Sequence, residues 1–269
     1  MRYVIVLGLP CALGLIGLSK SDVMPKEARL ALAQKNFERG VEKLRQPAEA
    51  RRLFVQAAED FDRLSGSVRS PAVYLSLGNA EALAGRWPRA VRAYHAGLKV
   101  DPNDRALRAH RDFARSLMHY PSGGRGRPTS DAWPAWLHRP TANELTVLAA
   151  IAWTLAWFAG GWWYLRRSSL SLYLTLSLAA IALLSGVGYW RHVQQTTYDA
   201  RHPLVVVLEE GATLYAGNGP SYPQHEEMPT LPAGLEARVL HRRGRWLQIE
   251  LTSGDVGWVP RDAVISVPD

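Results

Sequence analysis

The sequence predicts a multidomain protein with three parts: an all-α domain of repeated helices, a two-helix transmembrane hairpin and a small all-β barrel. Apolar residues recur every three to four positions over 25–119, and two long apolar runs fill 145–190. Short β-branched stretches separated by turns occupy 203–269. Helices and strands each bury one face, at periods of about 3.6 and 2 residues, so the pattern distinguishes the two domains.

The two apolar runs, 145–165 and 168–190, organise the rest of the chain. Neither contains a charged residue, and only Arg166 and Arg167 separate them. Each run reaches the roughly 20 residues that a helix needs to cross a bilayer. The alternative is a pair of core helices in a soluble protein. Such helices usually have one polar face toward water, and these two runs have none. Gly160-Gly161 and Gly186-Val187-Gly188 would permit close packing of the two helices.

A hairpin returns the chain to the side from which it came, so the domains before and after it face one compartment. Residues 1–21 carry one positive charge, Arg2, and then an apolar run, which is typical of a signal peptide or a signal anchor. Either one exports the helical domain. Arg166 and Arg167 then lie in the cytoplasm, as the positive-inside rule requires.

Composition and motifs exclude several functions. The chain has 269 residues, a net charge of +8 and one cysteine, Cys11, so no internal disulfide and no thiolate metal cluster can form. The basic balance fits attraction to anionic membrane lipid, and no nucleic-acid-binding motif is present. The eight histidines lack zinc-site spacing, and no phosphate loop or nucleophile motif occurs. We therefore expect no enzyme, no catalytic residue, no metal and no cofactor.

The predicted helices of residues 25–119 repeat with one constant offset. Four apolar positions of one helix match four of a later helix 33 residues on: Phe54, Ala57, Ala58 and Phe61 against Trp87, Ala90, Val91 and Tyr94. The offset is close to the roughly 34 residues of tetratricopeptide repeats. A plain helical bundle is the alternative.

Residues 71–104 resemble a tetratricopeptide repeat in their individual positions. The residues that carry the resemblance are Tyr74, Leu77-Gly78, Ala90, Tyr94 and Pro102. The pattern departs at Glu81, where the family often has an aromatic residue, and at Gly97, where it has alanine. The first unit, 37–70, matches less well, with Arg45 at the place of the glycine.

The resemblance implies a concave surface that binds a protein partner. Its expected lining residues are Ala72, Leu75, Asn79 and Ala82. Asn79 could donate a hydrogen bond to a peptide backbone, although asparagine is also ordinary at this position. Residues 120–140 form a glycine- and arginine-rich linker, and a flexible linker would hold the two domains within a few nanometres of each other.

Residues 203–269 resemble a bacterial SH3 domain. The family's first strand and loop match Thr213-Leu214-Tyr215 and Gly219-Pro220-Ser221, and its hairpin matches Leu231-Pro232-Ala233-Gly234. Its tryptophan strand matches Gly244-Arg245-Trp246, and its closing motif matches Gly257-Trp258-Val259-Pro260. The four features occur in the same order as in the family. The segment departs from the family at 216–218 and has a longer loop at 224–230. The resemblance implies an aromatic groove for an extended peptide or a cell-wall peptide, formed by Tyr215, Tyr222, Trp246 and Trp258. The alternative is that Trp246 and Trp258 close the barrel core.

The order of the parts resembles the BatE-type proteins of the aerotolerance (Bat) operons. That resemblance implies a scaffold in a bacterial inner membrane with both soluble domains in the periplasm. The implied partners are envelope proteins, including von Willebrand A-domain Bat proteins and a MoxR-type ATPase. The alternative function is a peptidoglycan-associated protein whose SH3-like domain binds cell-wall peptides.

Overall fold

A computed structural model describes residues 24–120 and 138–268. The predicted signal segment, 1–21, and residues 121–137 of the predicted linker lie outside the described residues. Within the described part, five helices form the first domain, two long helices form a hairpin, and seven strands form the last domain.

The helical domain consists of α1 (Lys26–Glu42), α2 (Pro47–Ser65), α3 (Pro71–Leu83), α4 (Trp87–Val100) and α5 (Arg105–Ser116). Proline occupies the first turn of α2, α3 and α4, where its missing N–H costs no helical hydrogen bond. The side chain of Asp104 caps α5 by accepting a hydrogen bond from the Leu107 N–H at 2.9 Å. Successive helices pack as pairs, α1 on α2 and α3 on α4.

A glycine allows each of these pairs to approach closely. A Cβ atom on Gly78 would lie 2.2 Å from the ring of Tyr94, and one on Gly40 would lie 2.7 Å from the ring of Phe54. The expectation that Arg45 takes the glycine's place in the first pair is wrong, because Arg45 lies in the turn between α1 and α2. The offset of 33 therefore does not align the residues at which the two pairs cross.

The two departures from the repeat pattern have local explanations. The side chain of Glu81 is buried and forms an ion pair with Arg86 at 2.5 Å, so a charged group fits where an aromatic residue is expected. A Cβ atom on Gly97 would lie 2.7 Å from the side chain of Leu107. Glycine at position 97 thus lets α5 pack against α4.

The hairpin consists of α6 (Ala142–Arg166) and α7 (Ser169–Arg201). A capping box starts α6: the Thr141 hydroxyl accepts from the Glu144 N–H, and the Glu144 carboxylate accepts from the Thr141 N–H. Arg167 adopts a left-handed conformation (φ 52°) that reverses the chain. Both helices are long and apolar enough to span a membrane, and only 17% of the most apolar 18 residues in each is buried. Core helices of a soluble protein would be mostly buried.

Small side chains line the contact between the two long helices. The buried residues of the hairpin are Ala152, Ala156, Ala159, Ser171 and Ser185. Of the predicted glycines, two face the other helix: a Cβ atom on Gly160 would lie 3.5 Å from the Thr175 side chain, and one on Gly188 would lie 3.4 Å from the Leu145 side chain. A Cβ atom on Gly161 or Gly186 would meet nothing within 4 Å, so these two glycines do not contribute to the packing. The last helix also continues to Arg201, past the predicted end of its apolar run at residue 190.

The last domain is a small antiparallel sheet structure. Its strands are β1 (Leu204–Val207), β2 (Ala212–Thr213), β3 (Thr230–Leu231), β4 (Glu236–Arg243), β5 (Trp246–Leu251), β6 (Val256–Pro260) and β7 (Val264–Ser266). Five strands form one sheet in the order β6-β5-β4-β1-β7, and β2 pairs with β3. The core is aliphatic and includes Val205, Leu214, Leu235, Ile249 and Val259.

Strand β1 is buried on both faces and joins the two domains. Val205 and Val207 point into the core of the sheet domain, whereas Val206 belongs to the hydrophobic core of the helical domain. Val267 also packs into the helical core. The core of the helical domain therefore includes residues of the sheet domain. The expected linker reach gave only an upper limit of a few nanometres on the distance between the domains, and their direct contact lies within that limit.

Candidate binding surfaces

A buried ion cluster lies where the sheet meets the helices. Arg115 of α5 donates two hydrogen bonds to the carboxylate of Glu236 on β4, each 2.7 Å long. Nε2 of His95 on α4 lies 2.9 Å from the same carboxylate. Glu236 is 5% exposed, so these partners replace the water that it loses. A two-pronged arginine–carboxylate contact is directional, and it therefore orients the sheet on the helices.

Electrostatics keep Glu236 ionised in spite of its burial. Burial alone would raise the pKa of this carboxyl group, because an ion is poorly solvated inside a protein. Attraction to His95 and hydrogen bonds from His95 and Arg115 outweigh that effect and hold the pKa of Glu236 well below its usual range. The carboxylate is therefore a structural charge and not a proton donor.

Further polar contacts fix the hairpin to both domains. On the sheet side, Arg238 contacts Asp199 of α7 at 2.6 Å, and its guanidinium carbon lies 5.2 Å from the centre of the Tyr198 ring. On the helical side, Asn103 bonds the backbone of Arg139 twice, at 2.8 and 3.0 Å, just before α6 begins. Both ends of the hairpin are thus attached to folded structure.

These contacts surround a polar cleft of about 670 Å³ between the helical domain, α7 and the sheet. Its charged lining residues are Lys99, Arg111, Arg115, Arg139, Asp199, Glu236, Arg238 and Glu250, together with His95. Arginine and carboxylate groups pair across it, as at Arg115–Glu236 and Arg238–Asp199. The cleft is therefore mainly part of the interface between the two domains and the hairpin.

Three of the four predicted aromatic site residues lie together on the outward side of the sheet. Tyr215 and Trp258 pair through two backbone hydrogen bonds of 2.8 and 2.9 Å, which places their side chains on the same side of the sheet. The Tyr215 ring meets the Trp246 ring edge-on, with centroids 5.5 Å apart. All three rings are only half-buried. We call Tyr215, Trp246 and Trp258 the aromatic face.

The structure differs from two other expectations about these aromatic residues. Trp246 and Trp258 do not close the core, because β5 and β6 alternate and both residues occupy the outward positions. Tyr222 is half-exposed in the loop after β2, where it packs on Gly217. Among the residues that the structure describes, no ring contact joins Tyr222 to the aromatic face.

The predicted residues of the helical surface lie along α3 and differ in exposure. Ala72 is exposed, whereas Leu75, Asn79 and Ala82 are half-buried, and Leu75 and Ala82 pack partly against the core. Oδ1 of Asn79 accepts a hydrogen bond from the buried Tyr94 hydroxyl at 2.9 Å. Asn79 therefore satisfies a buried phenol of α4, a structural role that the sequence pattern did not indicate.

The residues of the domain junction were missed from the sequence. Arg115 and His95 look like ordinary polar positions of amphipathic helices, and Glu236 looks like a charge at the start of a strand. One signal was present: three consecutive valines at 205–207 indicate a strand covered on both faces. That pattern requires a second layer over the sheet, but it does not say which element supplies it.

No group of three or more histidine, cysteine, aspartate or glutamate side chains within 24–120 and 138–268 is arranged to hold a metal ion.

Comparison with known proteins found no protein-family model, no curated protein and no solved structure that matches the chain.

Proposed function

We propose that this chain is a non-enzymatic scaffold of a bacterial inner membrane. In this proposal α1–α5 are tetratricopeptide-type repeats and the sheet domain is an SH3-like barrel, and both present binding surfaces in the periplasm. The observation that carries the proposal is the attachment of both domains to the same end of one apolar hairpin. Such an arrangement holds two surfaces in a constant relation at a membrane.

The helical domain supports this proposal through its close glycine–aromatic contacts. Close approach at Gly40–Phe54 and Gly78–Tyr94 stacks the helices as pairs, which is how helical repeats build a continuous binding surface. The sheet contacts the helices through α4 and α5, while Ala72 on α3 stays exposed. A partner could therefore bind α3 without displacing the sheet.

The partners expected from the sequence are envelope proteins, including von Willebrand A-domain Bat proteins that act with a MoxR-type ATPase. Site-specific photo-crosslinking in living cells tests the scaffold function. Gln248 pairs with Trp258 of the aromatic face. A photoreactive amino acid at Ala72 or Gln248 should form discrete adducts with envelope proteins, whereas the same group at Gln56 or Glu209 should not. Both control positions are exposed and lie outside the two surfaces. Equal adduct patterns at all four positions would contradict the proposal.

A second candidate function is attachment to peptidoglycan through the sheet domain. The observation that favours it is the aromatic face, because half-buried rings on the outward side of a strand pair suit an extended peptide. The full-length protein in detergent should then sediment with purified sacculi, and Trp258→Ala should abolish that sedimentation. Sedimentation that is absent, or unchanged in the variant, would exclude this candidate.

A further inference from the structure

One end of the sheet carries four exposed arginines. Arg242, Arg243 and Arg245 lie at the turn between β4 and β5, and the Arg261 N–H donates to the Arg245 carbonyl at 2.9 Å. Among the residues that the structure describes, no ion pair or side-chain hydrogen bond engages any of them. This end of the sheet is therefore a concentrated positive charge.

The positive end adjoins the aromatic face. Cross-strand neighbours point to the same side of a sheet, so register shows which side chains share the face. The outward side chains form two rows that run across the strands. The first row contains Arg243, Trp246 and Pro260, and the second contains His241, Gln248, Trp258 and Tyr215. Arg243 thus stands directly beside Trp246, and both belong to one surface.

Several acidic residues lie near this surface. Glu250 shares the outward side of β5, but it pairs across the sheet with Arg238 at the opposite end. Asp262 follows Arg261 in the chain and is exposed. Glu226 and Glu227 are exposed and come just after Gln224, the residue that pairs with Tyr215. A ligand at the aromatic face would therefore meet positive charge on the Trp246 side and acidic residues on the Tyr215 side.

Geometry separates the positive end from the hairpin. The turn after β5 lines the polar cleft together with Gln195 of α7, through Gly254. The arginines lie at the start of β5, a strand of six residues. At about 3.3 Å per residue, roughly 20 Å separate the two ends. The charge is thus far from the hairpin end of the sheet, which disfavours a lipid headgroup as its ligand.

We propose that the aromatic face and its flanking residues Arg243, Arg245 and Arg261 bind an acidic, extended segment of a partner protein. Guanidinium groups bind carboxylates with two parallel hydrogen bonds, and the rings pack against apolar side chains or peptide planes. Arg243 is in register with Trp246, and Arg245 and Arg261 lie at the same end of the sheet, so a segment with several carboxylates in a short stretch of chain would match their charge. This inference rests on the proposed scaffold function and names the chemistry of one partner.

A binding measurement with the full-length protein in detergent tests the inference. The probe is a fluorescent ten-residue peptide of glutamates and two tyrosines, and its control replaces every glutamate by glutamine. The double variant Arg243→Gln/Arg245→Gln should weaken binding of the acidic probe at least fivefold. The matched variant Arg51→Gln/Arg52→Gln removes two exposed arginines of α2 and should change nothing. Equal binding of both peptides, or equal effects of both variants, would overturn the inference.

Two further experiments distinguish an acidic protein segment from cell wall or lipid as the ligand, and distinguish this inference from the scaffold function. Arginine-dependent binding to sacculi or to phosphatidylglycerol vesicles, without binding of the acidic peptide, would also overturn it. In cells, a photoreactive group at Gln248 should lose its adduct in the Arg243→Gln/Arg245→Gln variant. Adducts that persist unchanged would remove this inference and leave the scaffold function intact. A lack of adducts at both Gln248 and Ala72 would remove the scaffold function itself.

Discussion

At the scale of single residues, the junction of the two domains depends on the buried carboxylate of Glu236. Replacing Arg115 by methionine would leave that charge with His95 as its remaining partner inside the protein. Breaking a buried ion pair on one side costs about 3 to 5 kcal/mol. We expect Arg115→Met to lower the free energy of unfolding by this order, as measured by urea denaturation of the full-length protein in detergent.

The double variant Arg115→Met/Glu236→Leu is the control for that prediction. It removes both charges together, so no unpaired ion remains buried, and replacement of a buried pair by apolar side chains is often close to neutral. The double variant should therefore be more stable than Arg115→Met alone. A double variant that is less stable than the single one would contradict the assigned role of this pair.

The same carboxylate predicts a pH dependence. The folded-state pKa of Glu236 is held below its ordinary value of 4.5, so its contribution to stability is present above about pH 4.5 and is lost progressively as the pH falls below it. Burial of Glu81, partly opposed by Arg86, raises its pKa and works in the opposite direction. The stability difference between the wild type and Glu236→Gln isolates the first effect.

That difference should be large at pH 7 and should shrink steadily below pH 4.5 in urea titrations of both proteins. A difference that grows on acidification would mean that Glu236 is not held as the anion. Sequence alone could not predict this behaviour, because Arg115, His95 and Glu236 come from three elements that only the folded chain brings together.

At the scale of elements, close contact between helices depends on glycine. A Cβ atom on Gly78 would overlap the Tyr94 ring, whose position is also fixed by the hydrogen bond to Asn79. Overpacking of a close-packed core costs about 1 to 3 kcal/mol. Alanine would gain up to about 1 kcal/mol in helix propensity, which offsets only part of that cost. We expect Gly78→Ala to destabilise the helical domain in thermal unfolding followed by circular dichroism.

Gly66 provides the matched comparison. It lies at the end of α2 with a helical backbone conformation, and a Cβ atom there would be 3.6 Å from the nearest atom, an ordinary contact. Gly66→Ala should leave the unfolding temperature unchanged or raise it slightly. If both variants behave alike, the close approach of α3 and α4 does not depend on position 78.

The helices and strands themselves were largely predictable, because their apolar periods and turn residues are local. Pro47 and Pro71 begin α2 and α3, and in β5 the buried residues Leu247, Ile249 and Leu251 alternate with outward ones, so both signals are local in the chain. Helix register was less predictable. The pattern at offset 33 favoured Arg45 over Gly40, because similar apolar spacing occurs at several offsets in neighbouring amphipathic helices.

At the scale of the whole molecule, the account combines an apolar hairpin with two domains in direct contact. Val206 and Val267 pack into the helical core, so neither domain can turn freely against the other. Two binding surfaces in a constant relation favour partners that match their spacing, since the second contact is then made without a further search. The sequence predicted the parts and their order. It did not predict their contact, because nothing local in a valine run specifies the covering element.

The most direct test of the account is the side of the membrane on which each part lies. Single cysteines at Gln56, Ser168 and Ser221, in a Cys11→Ser background, place one reporter in the helical domain, the hairpin turn and the sheet domain. In spheroplasts treated with a membrane-impermeant maleimide, we expect labelling at positions 56 and 221, and at 168 only after the membrane is permeabilised. Labelling at 168 in intact spheroplasts, or protection of either domain, would contradict a hairpin that holds both domains in the periplasm.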